Sequence, residues 1–186
     1  MAGVEVIGLL CAGSVRYHHV RGGSSTPGQL SRADIAGLLS GLSAEQMALA
    51  QAKYMADEDA ERGLIAHVRV WLASRAITRR WALVRGVPVL SNMAAIAVFE
   101  SVRPNVCGVC SGVGLMGSRD CVRCSGAGHM PLPVKSVADA MGLCESVFNR
   151  TWMTRYADTL GYLQAMDGEI RRVVMRATRE DEKSFA

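Results

Sequence analysis

Residues 107 to 128 read Cys107-Gly-Val-Cys110-Ser-Gly-Val-Gly114, then Leu115-Met-Gly-Ser-Arg-Asp120, then Cys121-Val-Arg-Cys124-Ser-Gly-Ala-Gly128. The motif C-x-x-C-x-G-x-G occurs twice, with ten residues between Cys110 and Cys121. Two C-x-x-C pairs supply the four thiolates of a tetrahedral metal site, whereas a disulfide within one pair closes too short a loop to add much stability. Cys107, Cys110, Cys121 and Cys124 are therefore expected to hold one structural Zn2+ ion, with the intervening residues returning as a short β-hairpin. Glycines two and four positions after each pair relieve steric restriction where the chain turns around the ion. Four thiolates leave no position for water or substrate, so such an ion holds structure and does not catalyse. A redox dithiol or an iron–sulfur centre are the other uses of such pairs. His129 reads as a surface neighbour of the second pair. Cys11 and Cys144 have no partner in sequence, and Cys144 reads as a turn or buried residue, not a nucleophile.

The glycine-rich segment 105–130 cannot supply a hydrophobic core of its own, so the core must come from the chain around it. That chain is helical in pattern. Ser31 is a plausible N-cap for a helix carrying Ile35, Leu38, Leu39 and Leu42, and Ser43 with Gln46 forms a capping box for a helix through about Tyr54. Asp57 starts a third helix, in which Leu64, Ile65, Val68, Trp71, Leu72 and Arg75 recur every three or four residues until Gly86-Val87-Pro88 breaks the run. Pro88 suits a helix N-terminus, and Val89 to Val102 has helical length and ends before Pro104. The expected fold is mainly α: a flexible leader over 1–30, one helical domain over 31–178 with the metal module at 105–130 inserted in it, and a charged tail over 179–186.

Behind the cysteine segment, Pro131 and Pro133 lead into Val134-Lys-Ser-Val-Ala138-Asp-Ala-Met-Gly142-Leu143 and on through Val147, Phe148 and Trp152. A helix-turn-helix needs a small residue where its helices cross, a turn residue that tolerates positive φ, and apolar residues that pin the second helix. Ala138, Gly142, and Leu143 with Val147 and Phe148 meet these needs in order, which predicts the motif over about 134–156. An ordinary helical hairpin with a glycine turn meets them equally. The second helix then starts near Glu145 and presents Glu145, Ser146, Asn149 and Arg150 outward, with Arg155 nearer a DNA backbone. Arginine reads guanine, and asparagine reads adenine, by paired hydrogen bonds. Tyr156, Leu160, Leu163, Met166 or Asp167, Ile170, Val173 and Val174 continue as a long amphipathic helix.

Composition narrows the function classes. Half-apolar content, 49%, excludes disorder throughout, and the longest uninterrupted apolar run, Met93 to Phe99, is far short of the roughly 20 residues a bilayer span needs. Glu5 and the lack of a basic start argue against a cleaved secretory signal, so a cytoplasmic location is expected. The net charge of +4 conceals a division. Residues 40–61 are acidic, whereas residues 62–103 carry seven arginines against Glu100 alone, and residues 134–179 are again mildly basic. Arginine clusters suit phosphate backbones, although a solvated helix face accounts for them too. His18, His19, His67 and His129 stand in no recognisable catalytic constellation, so no enzyme is expected.

The two cysteine motifs, the proline-punctuated segment after them, the Ala138/Gly142 hairpin, and Arg150-Thr151-Trp152 leading into Arg155-Tyr156 together resemble the late-gene antitermination Q proteins of lambdoid bacteriophages, of the lambda type. The resemblance covers roughly Ser31 to Thr178, and the cysteine spacing is its specific part. It implies a factor that binds double-stranded DNA at a late promoter in the cytoplasm of a bacterial host. It further implies loading onto a paused, sigma-containing RNA polymerase and read-through of terminators, with contacts near the RNA exit channel and nascent RNA as a further candidate partner. By position, Cys107, Cys110, Cys121 and Cys124 would be the zinc ligands and Glu145, Ser146, Asn149 and Arg150 the DNA readers. The stretch between the cysteine pairs is shorter here than in the lambda protein, and the Gly22–Gly28 leader has no clear counterpart. Two other readings fit parts of the pattern: a zinc-containing helix-turn-helix regulator without antitermination, and a J-protein-like zinc chaperone module. The second would need four such motifs and a His-Pro-Asp tripeptide, and this chain has two motifs and no such tripeptide.

Overall fold

The computed structural model describes residues 41–83 and 88–184, with side chains placed through Arg176. The leader 1–30, Cys11 and the helix expected from Ser31 lie outside the described residues. The remainder is mainly helical, with short antiparallel strand pairs confined to the cysteine segment. The described residues gather into two compact units, one of residues 41–63 with 165–184 and one of residues 64–83 with 88–164.

Helix α1 spans Ala44–Met55 and begins on the expected capping box: the Gln46 amide donates to Ser43 Oγ, and the Ser43 amide donates to Gln46 Oε1. Helix α2, Glu58–Thr78, starts where Asp57 Oδ1 accepts from the Ala60 amide. It buries Leu64, Val68, Leu72 and Ala76, a stripe at intervals of four. The helix ends before the glycine–proline break expected at 86–88. Arg80 adopts φ 51°, and the Trp81 amide donates to the Ala76 carbonyl, a reversal that closes the last turn without glycine. Helix α3, Val89–Val102, keeps its expected limits and has no polar stripe; Met93, Ala94, Ala97, Val98 and Val102 are buried. A helix apolar on all sides is an interior helix.

The strands are β1 (Asn105–Val106), β2 (Leu115–Met116), β3 (Arg119–Asp120) and β4 (His129–Met130), pairing β1 with β4 and β2 with β3. Helix α4, Val134–Ala140, and helix α5, Glu145–Val147, follow. A π-helical turn over Phe148–Trp152 joins α5 to helix α6, Met153–Ser184, without a break in helical dihedral angles. The helix thus runs beyond the expected limit at Thr178 and takes in most of the segment read as a charged tail.

In the first unit, the carboxylate of Asp167 on α6 is buried against α1. Tyr54 donates to it at 2.6 Å, Lys53 Nζ at 3.0 Å, and Arg171 Nε at 3.0 Å. Burial opposes ionisation of this carboxyl, but the Tyr54 hydrogen bond and the Lys53 and Arg171 charges outweigh it and hold its pKa below the ordinary range. No helix among the described residues is long and apolar enough to cross a membrane.

Candidate metal centre and helix-turn-helix

The cysteine module is built as two copies of one turn, offset by 14 residues. In the first copy the Gly114 amide donates to Cys110 Sγ at 3.3 Å, and in the second the Gly128 amide donates to Cys124 Sγ at 3.2 Å. Ser111 and Ser125 take φ 51° and 50°, and Gly114 and Gly128 both take φ 77°. The copies lock into each other: the Cys107 amide donates to the Gly128 carbonyl, and the Cys121 amide to the Gly114 carbonyl. The β1–β4 and β2–β3 pairings are related by the same offset. The β2–β3 pair is the hairpin expected between the cysteine pairs, closed by Gly117-Ser118; the β1–β4 pair, which seals the module at its ends, was not foreseen.

The reason for the second glycine of each motif is a close approach. A Cβ on Gly114 would lie 2.3 Å from the Gly126 carbonyl oxygen, and one on Gly128 would lie 2.4 Å from that of Gly112. Neither position can carry a side chain unless the backbone of the other copy moves.

This frame brings the four cysteines together, all of them buried, with every Sγ within 4.8 Å of the others. Cys107 and Cys121 are 4.0 Å apart and Cys110 and Cys124 are 3.7 Å apart, all as free thiols. A tetrahedron of sulfurs around an ion at about 2.3 Å has edges of about 3.8 Å. The donor set therefore fits a tetrahedral thiolate-bound metal ion. Backbone amides of Cys110 and Val109 hold the Cys107 thiol down at about 7, whereas burial pushes that of Cys124 up to about 11. His129 stays outside the cluster: it is exposed, and its Nδ1 lies 2.8 Å from the Ala127 carbonyl.

The hairpin behind the module takes the expected form. Gly142 adopts φ 72°; its amide donates to the Asp139 carbonyl, and the Leu143 amide donates to that of Ala138. This pair of bonds is a Schellman closure of α4, and the left-handed residue explains the glycine. Ala138, Leu143 and Phe148 are buried, Val147 is half-buried, and the second helix starts at Glu145. Cys144 is the exposed turn residue before it.

Glu145, Ser146, Asn149 and Arg150 are all exposed at the start of this helix. Asn149 and Arg150 fall within the π-helical turn, which sequence reasoning had no signal to place. Such turns widen the helix by one residue and recur at functional sites. Arg155 is not part of that exposed set. It is half-buried, with its guanidinium 4.5 Å from the Trp152 ring centre and 4.7 Å from that of Trp81. Residues three apart on a helix are neighbours, so Arg155 lies over Trp152, and Trp81, just beyond α2 and edge-on to Trp152, meets the same guanidinium from a perpendicular direction. Desolvation lowers its pKa.

One residue whose role sequence reasoning missed, Glu100, ties these parts together. Glu100 Oε2 accepts from the Tyr156 hydroxyl at 2.6 Å, and Glu100 Oε1 accepts from the Leu132 amide at 3.1 Å. Their separations of 56 and 32 residues left no local signal. No protein-family model and no curated protein matches this chain.

Proposed function

We propose that the protein is a zinc-stapled, helix-turn-helix transcription factor that binds promoter DNA and acts as an antitermination factor on bacterial RNA polymerase. The observation that carries the reading is the exposure of Glu145, Ser146, Asn149 and Arg150 at the start of a helix set by the Gly142 turn, directly behind a four-thiol metal module. Helix starts presented in this way are what enter a major groove, and Asn149 and Arg150 have the side chains that discriminate adenine and guanine.

The sulfur spacing fits a tetrahedral thiolate-bound ion, and a closed set of four cysteine donors is the one that structural Zn2+ sites use, which supports Zn2+ as the ion. Cys107, Cys110, Cys121 and Cys124 would hold it, and its contribution is folding energy, not chemistry. The basic stretch is consistent with a second contact, to phosphates or to polymerase. Arg69 and Arg80 are exposed on or just after α2. The antitermination half of the proposal rests on the resemblance to the lambda Q-type proteins.

Transcription past an intrinsic terminator, on a template carrying the cognate promoter, tests it with purified components. Added protein is expected to raise read-through. Promoter binding without a change in read-through would reduce the reading to a zinc-containing regulator, and absence of any duplex preference would remove DNA reading altogether.

A further inference from the structure

We infer that Glu100 is a positioning residue that transmits the folded state of the metal module to the DNA-facing start of the reading helix. The inference deepens the function proposed above and rests on it for its purpose, though not for its test. Glu100 sits on α3 among Ala97, Val98 and Val102, and among the described residues of its unit it is the one buried carboxylate. A carboxylate in such surroundings is costly unless its oxygens are matched by donors, and here each oxygen has one.

The two donors come from the two parts whose relation matters. Leu132 lies between Pro131 and Pro133, which have no N–H, so its amide is the sole backbone donor in the strap that leaves the metal module. Glu100 captures that donor. Tyr156, whose short hydroxyl bond takes the other oxygen, lies in the helix that carries Asn149 and Arg150, and its ring meets Phe148 edge-on with centres 6.0 Å apart. Phe148 is the residue before Asn149. A continuous set of contacts thus runs from the module strap through Glu100 and Tyr156 to the π-helical turn. Once the module loses its metal and unfolds, the strap releases one side of Glu100, and the reading helix loses its fixed reference.

Hydrogen exchange on the full chain, loaded with Zn2+ or stripped with EDTA, tests this without DNA. In the parent, stripping is expected to accelerate amide exchange in residues 145–156 at least tenfold, together with the module itself. In Tyr156→Phe, whose substitution touches no thiol, zinc content and zinc release stay within twofold of the parent. Residues 145–156 exchange faster even when loaded, and stripping adds less than threefold. Glu100→Ala behaves in the same way, and Glu100→Gln, which keeps an acceptor for Leu132 and an amide for the Tyr156 oxygen, retains most of the coupling. The inference is overturned if stripping leaves residues 145–156 of the parent unchanged, if Tyr156→Phe responds as strongly as the parent, or if Glu100→Gln and Glu100→Ala lose equally.

A second arm uses a duplex selected from a randomised pool by the parent protein. Tyr156→Phe is expected to bind it at least fivefold more weakly, and equal binding overturns the link to DNA reading. Failure of the parent to select any duplex refutes DNA reading while the exchange measurements still decide the coupling.

Discussion

Replacing Gly128 by alanine tests whether the metal module is held by the mutual approach of its two copies. The added Cβ would fall 2.4 Å from the Gly112 carbonyl oxygen and 3.1 Å from its carbon, on a residue with φ 77°. The left-handed conformation alone costs a side chain about 1–2 kcal/mol. Relief of the overlap requires a backbone shift of about 1 Å to restore van der Waals contact. That shift strains the Gly128 amide bond to Cys124 Sγ and the Cys107 amide bond to the Gly128 carbonyl, each contributing about 1 kcal/mol. The total is about 3–4 kcal/mol. Because folding and metal binding are one equilibrium in such a module, it emerges as a loss of two to three orders of magnitude in zinc affinity, at about 1.4 kcal/mol per tenfold. Competition against a chromophoric chelator on the full chain measures it. Gly114→Ala, whose Cβ would meet the Gly126 carbonyl oxygen at 2.3 Å, should lose the same amount. Two controls separate the causes. Gly117 has φ 64° but open space around a Cβ, so Gly117→Ala carries the conformational cost alone, about tenfold. Gly108 has open space and no positive φ, so Gly108→Ala stays near the parent. A Gly128→Ala variant that binds zinc within threefold of Gly108→Ala would refute the reasoning. So would a tenfold difference between Gly114→Ala and Gly128→Ala.

Cys121→Ser should release the metal and unfold the module, and metal analysis of well-folded parent showing less than about half an equivalent of zinc would contradict the four-thiolate assignment. Asp167→Ala leaves the half-buried Lys53 and Tyr54 groups unmatched and should cost about 2–4 kcal/mol in denaturant unfolding. The pKa of this carboxyl is lowered by folding, so its stabilisation is present above the ordinary carboxylate range and is lost as pH falls through the lower folded value. If the parent and Asp167→Ala lose stability in parallel through the acid range, the ion-pair account fails. Arg150→Ala should weaken binding to the selected duplex by about 1–3 kcal/mol with unchanged melting, whereas Arg155→Ala should lower the melting temperature first, because its guanidinium packs on both Trp81 and Trp152. The opposite assignment of effects would place Arg155, not Arg150, on the reading surface.

Several elements were legible because their signals are local. The Ser43/Gln46 capping box, the Asp57 helix start, the limits of Val89–Val102 and the left-handed Gly142 all depend on residues a few positions apart. The helix start at Glu145 follows from the same turn. The ends of α2 and α6 were misjudged for an equally physical reason. Arg80 closes α2 in a left-handed conformation without the glycine that marks such closures, and charged residues after Thr178 continue the helix because charge by itself does not end one.

For the site, local sequence was enough for the donor set: four thiols at a spacing that suits a shared ion, and a glycine hairpin behind them. Tertiary structure decided everything that needed two distant segments. It set the second glycine of each motif against the other copy, turned Arg155 onto two tryptophans, placed Asn149 and Arg150 on a π-helical turn, and joined the cysteine module to the helix after the Gly142 turn through Glu100. Composition and periodicity report how a residue relates to its own helix or turn. A close approach, a ring packed across a guanidinium, or a carboxylate shared by two donors is specified only once the chain has brought those groups within a few ångströms of each other.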